Sequence, residues 1–311
     1  MSERGNNNPL LITGMHRSGT SMVTRLLNLC GLHLGDPRRL LKAQPDNPQG
    51  FWENLDFVTL DDRILARMNG AWNLPPVEKP NMGHDSALLA EFGASALACV
   101  TAASGRPLFS HGWGWKDPRC SLLLPFWSEI VPDMKVLVCL RDPGEVSASL
   151  NKRNGFSTRL GLHLWQQYNE RLEQDLLCLS GVESMVTHYE AILAHPDREL
   201  RRLTEWLGWP VTDELISHAC ESIKPELRHH RQGFGSKDVP PHEKTYGRLY
   251  ERLCGRAGPN YSPFPKAGLV EPDIFNERVA AKLAMRKTPP VSFNPVWTEI
   301  PGKRILSGSR S

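Results

Sequence analysis

The sequence predicts an α/β fold in which a mostly parallel central sheet lies between layers of helices. Three observations carry this prediction. Residues 10–13 form a short apolar run that opens directly into a glycine-marked loop and then a helical pattern. "MKVLVCLRDP" holds five apolar residues in a row, as a strand buried on both faces requires. Strand and helix patterns then alternate along the chain, which favours parallel pairing through helical crossovers.

The elements follow in order. Met22, Val23, Leu26, Leu27 and Cys30 recur at helical spacing after the first loop, and Gly31 offers a stop. "GDPRRLLKAQPDNPQGFWEN" is rich in Pro, Asn and Gly and is expected to be largely loop. "LDFVTLDDRILARM" has a helical pattern, and another helix is expected around 86–104. "PLFSHGWGWKDPR" is expected to be a strand with a functional loop after it. Beyond "MKVLVCLRDP" come a helix in "GEVSASLNKRNG", a long helix over about 157–179, a strand in "SMVTHYE" and a helix in "DRELRRLTEWLG". Composition shifts near residue 256, since eight of the 25 prolines lie between Pro259 and Pro301. Residues 1–256 are therefore expected to form one domain, and 257–311 a peripheral Pro-rich tail around the helical stretch "DIFNERVAAKLAM".

At 311 residues, 40% hydrophobic and 23% charged, the chain has the apolar content of an ordinary globular protein. A net charge of +3 is too small to imply nucleic-acid binding, so any anion site must be a local cluster. The seven scattered cysteines contain no C-x-x-C pair and suggest free thiols in a reducing compartment. Neither a signal peptide nor an apolar run of roughly 20 residues is visible. The expected compartment is the cytoplasm.

"LLITGMHRSGTSMVTRLL" carries the chemistry. In a strand–loop–helix unit the loop N–H groups and the helix N-terminus form an anion site. Gly14 and Gly19 permit the tight turn, while Ser18, Thr20 and Ser21 add hydroxyls. Arg17 adds a planar fork of charged donors. The G-x-x-x-x-G spacing is that of a P-loop, but Thr20 stands where a nucleotide triphosphatase has its lysine. The implied architecture is P-loop NTPase-like.

"GMHRSGTS" resembles the 5′-phosphosulfate loop of sulfotransferases, which use 3′-phosphoadenosine 5′-phosphosulfate (PAPS) and release adenosine 3′,5′-bisphosphate. The flavour is of a bacterial sulfotransferase-domain protein with motif-level similarity to protein-tyrosine sulfotransferases. "VLVCLRDPGEVSASLNKR" resembles the family's 3′-phosphate motif, with Arg141 at the strand end and Ser149 eight residues on. Glu145, Ser149 and Arg153 share one helix face, so Ser149 and Arg153 are expected to meet the same phosphate as Arg141. "WKDPR" resembles the family's Lys-Asp-Pro element, which gives Lys116 the role of assisting the leaving oxygen. "VTHYEAILAHP" resembles its Tyr-Glu-x-Leu segment, with Tyr189 near the adenosine. "RHHRQGFG" at 228–235 is basic, but no copy of the C-terminal R-K-G-x-x-G motif is clear.

Sulfuryl transfer needs donors for the developing charge, a role suited to Arg17 and Lys116, and a base for the acceptor hydroxyl. Of the carboxylates in "GFWENLDFVTLDD", Asp56, Asp61 and Asp62 fall in a predicted helix, where a solvated face is the default. Glu53 precedes that helix and is the expected base. No metal is expected to be required. A P-loop kinase or nucleotide hydrolase is the alternative enzyme. A non-catalytic nucleotide-binding module would require Glu53 and Lys116 to lie away from the anion. The nine tryptophans give a weak preference for a carbohydrate acceptor.

Overall fold

A computed structural model describes residues 8–45, 47–78, 86–105, 110–223 and 243–261. Its sheet has five strands, β1 (Leu10–Thr13), β2 (Leu32–His33), β3 (Gly112–Lys116), β4 (Lys135–Leu140) and β5 (Ser184–His188). They are ordered β2-β3-β1-β4-β5, and every pairing is parallel. The helices are α1 (Thr20–Leu29), α2 (Leu55–Arg67), α3 (Ser86–Ala103), α4 (Cys120–Ile130), α5 (Pro143–Asn154) and α6 (Thr158–Cys178). They continue with α7 (Tyr189–Ala194), α8 (Pro196–Leu207), α9 (Asp213–Glu221) and α10 (Glu243–Cys254).

The strands are apolar throughout because helices cover both faces. Leu11, Val136, Val138 and Leu140 join a core with α2, α3, α4, α5, α6 and α10. Their alternate neighbours Leu10, Ile12, Leu137 and Cys139 join a second core with α1, α8 and α9. Period-two alternation thus feeds two hydrophobic layers, giving the three-layer P-loop-like architecture that the sequence predicts.

Local chemistry sets the helix starts. Asn54, Asp142, Ser157 and Thr212 accept hydrogen bonds from the free N–H groups of α2, α5, α6 and α9. Pro143 sits at the first turn of α5, where no N–H is needed. Helix α4 escapes the pattern analysis. It is buried from Cys120 to Ser128, so it shows no polar stripe, and Pro125 follows a kink at Leu123. Helices α7, α9 and α10 and the two-residue β2 are likewise absent from the sequence prediction.

Four of the seven cysteines are buried and all are free. Five tryptophans, 72, 113, 115, 127 and 165, are core residues, and Trp115 stacks on Phe57 at 5.2 Å. This removes the sequence argument for sugar stacking by the "WGWK" tryptophans. No described helix is long and apolar enough to cross a membrane. The Pro-rich tail beyond residue 261 and "RHHRQGFG" lie outside the described residues.

Candidate active site

Strand order assembles the site. Because β1 lies between β3 and β4, the segments leaving the C-terminal ends of all three strands are neighbours. Ile12 is in register with Lys116, and Thr13 with Val138. Lys116, the loop from Gly14 to Gly19, and Arg141 therefore share one edge, although 124 residues separate Arg17 from Arg141.

Close approach explains both loop glycines. A Cβ on Gly14 would lie 2.3 Å from the Cys139 carbonyl oxygen. One on Gly19, at φ +86°, would lie 2.5 Å from the Tyr189 ring. Arg17 adopts φ +72°, a left-handed conformation uncommon for a side-chain-bearing residue. Ser121, which the sequence reading missed, anchors the loop: its hydroxyl oxygen accepts from Gly14 N–H at 3.0 Å and lies 2.8 Å from Thr13 Oγ1.

The two arginines are joined. Arg141 Nη1 donates to the Arg17 carbonyl at 3.1 Å, and Arg17 Nε donates to Ser149 Oγ at 2.8 Å. Arg141 also lies over the Tyr189 ring, 4.1 Å from its centroid, and donates to Glu145 Oε2 at 2.9 Å. Its carboxylate partner is thus Glu145, not the adjacent Asp142, which caps α5. The sequence grouping puts Ser149 with Arg141 and Arg153, whereas the fold binds Ser149 to Arg17. Arg153 lies over Trp72 at 5.3 Å.

On the other side of the loop, Lys116 forms a buried ion pair with Glu53 and donates to Ser21 Oγ at 3.2 Å. The pair joins β3 to the segment before α2, across 63 residues. Burial raises the Glu53 pKa against the pull of Lys116. Burial likewise lowers that of Lys116 against the pull of Glu53. Burial thus works against the charged form of both partners, and their mutual attraction opposes it.

Arg17, Gly19, Thr20, Ser21, Glu53, Arg141, Arg153 and Tyr189 all line one cleft. Gly14, Ser18, Lys116 and Ser149 stand behind its wall rather than in it. Ser18 Oγ is buried without a partner among the described residues, as is Glu53 Oε2. Both atoms retain hydrogen-bonding capacity at the cleft that a polar ligand could use. Met22, Leu193, Ser222 and Ile223 form another part of the wall. No described group of three or more His, Cys, Asp or Glu residues could hold a metal.

The other carboxylates of the segment are occupied. Asp56 pairs with Arg39, and Arg119 donates to Asp62 at 2.6 Å. Asp61 is fully buried rather than on a solvated face; it accepts from Trp127 Nε1 at 2.9 Å and from Cys120 Sγ. Its pKa is driven well up by burial. His16, absent from the sequence prediction, also lines the cleft. Its signal was its place beside Arg17 in the loop.

A model of the Sulfotransferase family matches residues 9–213, spanning both arginines, Glu53 and Lys116. The chain belongs to the sulfotransferase family. It is 26% identical over 220 residues to protein-tyrosine sulfotransferase 1 of Danio rerio, covering 67% of this chain and 55% of the relative. The chain spans about half the length of the curated relatives it matches. Among solved structures, a sulfotransferase from Alicyclobacillus acidocaldarius aligns at 14% identity and TM-score 0.43, covering 81% of this chain and 94% of its own. Sulfotransferase STF9 from Mycobacterium avium aligns at 17% identity and TM-score 0.41, covering 73% and 69%.

Proposed function

We propose that the protein transfers a sulfuryl group from PAPS to an acceptor hydroxyl. The observation that carries this reading is one cleft lined by the linked Arg17 and Arg141 and by Glu53, which Lys116 pairs with from behind the wall. Two cationic positions beside an acid–base pair suit a donor with two anionic ends and a reacting centre at one of them.

The donor supplies an activated sulfuryl group on a phosphate leaving group. Arg17, with the loop N–H groups, holds the 5′ end and the charge that develops there. Arg141, with Tyr189 against it and Arg153 nearby, holds the 3′-phosphate. Met22, Leu193 and Ile223 supply an apolar wall for the base. Lys116 turns from Glu53 to the bridging oxygen, and the freed Glu53 carboxylate accepts the proton of the attacking hydroxyl. The cationic side chains supply the positive charge directly, so no metal is required. Thr20 in place of a P-loop lysine argues against nucleotide hydrolysis.

The acceptor is a hydroxyl compound. A relative named for protein tyrosine favours a phenol on a peptide, and among the described residues no tryptophan lines the cleft to favour a sugar. Labelled PAPS in EDTA, offered to tyrosine peptides and to oligosaccharides, tests both points. Transfer to the peptides supports the reading, and transfer to the sugars alone overturns the peptide acceptor. The donor assignment is tested by calorimetry with adenosine 3′,5′-bisphosphate and AMP. The bisphosphate is expected to bind more tightly by about 1.5–3 kcal/mol, with the difference lost in Arg141→Ala. Equal affinities in the unmodified protein would overturn it.

A further inference from the structure

Among the described residues, His16 is the one cleft-lining imidazole, and the proposed chemistry leaves it without a task. It sits in the loop next to Arg17, is 8% exposed, and its Nε2 has no hydrogen-bond partner among the described residues. The ring packs on Trp72 at 4.7 Å and on the edge of Tyr168 at 5.9 Å. Cations face it from four elements: Arg17 in the loop, Lys116 on β3, Arg119 at the β3–α4 turn and Arg153 on α5. Tyr168 faces it from α6. Burial first, then these four charges, hold the imidazole neutral, with its pKa well below the usual value.

The balance changes if an anion enters. Arg119 is already compensated by Asp117 and Asp62, and Lys116 by Glu53. A polyanion in the cleft that His16 lines brings both negative charge and oxygen acceptors, and Nε2 has no partner among the described residues. Both effects favour the imidazolium. The ring is therefore poised to gain a proton only on binding.

Resting on the PAPS reading above, we propose that His16 takes up a proton when the donor binds and then donates through Nε2 to the sulfonyl oxygens being transferred. In the transfer step His16 keeps that proton. Glu53 accepts the hydroxyl proton as the new O–S bond forms. Lys116 meets the electron pair that stays on the bridging oxygen as the old S–O bond breaks. His16 is thus a catalytic residue whose charge is supplied by the arrival of substrate.

Calorimetry of PAPS binding without an acceptor, in two buffers of different ionisation enthalpy near neutral pH, counts the protons taken up. The expected result is an uptake in the unmodified protein that exceeds that of His16→Gln by up to about one proton per ligand. Equal uptake in the two proteins would overturn the proposal while leaving the donor site intact, and absence of PAPS binding would overturn the donor reading itself. Nitrogen-15 imidazole spectra of the unmodified protein give a test that needs no variant. One imidazole is expected to pass from neutral to cationic on saturation, and no such change would also sink the idea. In turnover, kcat should fall as pH rises through the donor-bound pKa of His16, a limb that His16→Gln should lack.

Discussion

Glu53 shows how burial turns an ordinary carboxylate into a candidate base. Desolvation holds its pKa above the usual carboxylate range, and Lys116 occupies one of its oxygens while the other has no partner among the described residues. A base must be deprotonated to act, so turnover should fall as pH drops through this raised value. Glu53→Gln keeps the shape and an acceptor for Lys116 but removes the proton site. It should lower kcat by roughly 10²–10⁴-fold, erase the acidic limb, and leave bisphosphate affinity nearly unchanged. Near-normal turnover in this variant would move the role to the acceptor, because Asp56, Asp61 and Asp62 are all engaged elsewhere. The place of Glu53 just before α2 was legible in the sequence. Its pairing with Lys116 was not, since that contact depends on where β3 lies.

At the scale of elements, the β1–α1 loop works because two neighbours press against its glycines. The obstacles differ in kind: a backbone carbonyl of β4 faces Gly14, while the ring of Tyr189, held beneath Arg141, faces Gly19. A sheet backbone cannot step aside as a side chain can. Gly14→Ala should therefore cost about 3 kcal/mol or more in urea unfolding, and Gly19→Ala about 1–3 kcal/mol. Adding Tyr189→Ala should recover part of the Gly19→Ala loss and none of the Gly14→Ala loss. Strict additivity at both positions would contradict this account of the loop.

Across the whole molecule, a buried histidine at the end of β5 ties the sheet to the last described helix. His188 is fully buried. Its Nδ1 accepts from Glu190 N–H at 3.1 Å, which leaves the proton on Nε2, 2.9 Å from the Tyr250 hydroxyl of α10. Tyr250 continues to Tyr261 at 3.0 Å. Burial, aided by Arg141, lowers the His188 pKa to about 3. The unfolded chain binds this proton near the ordinary value of about 6.5, so it gains protons first as pH falls. The stability from neutral His188 is present above that pH and is lost progressively down to about 3. The loss should be on the order of a few kcal/mol, with His16 acting in the same direction. His188→Asn can keep the α7 cap while removing the titration. It should be less stable at pH 8 yet flatter in urea midpoint between pH 6.5 and 4; an unchanged slope would assign acid lability to other groups.

The sequence by itself determined the layered α/β architecture, because strands covered on both faces must be apolar runs and the alternating helices must show a 3.6 period. It also determined the strand–loop–helix unit at Gly14–Gly19 and the arginine at the end of β4, since glycine spacing and a terminal charge are local signals. Only the tertiary structure decided which groups meet: Arg17 with Ser149 and Arg141, Glu53 with Lys116, and His16 within a ring of cations. Those contacts follow from the order β3-β1-β4. Strand order is chosen by the packing of both helical layers at once, and no local pattern carries it. Helix α4 shows the same limit from the other side, for a helix buried all round leaves no periodic trace of its orientation.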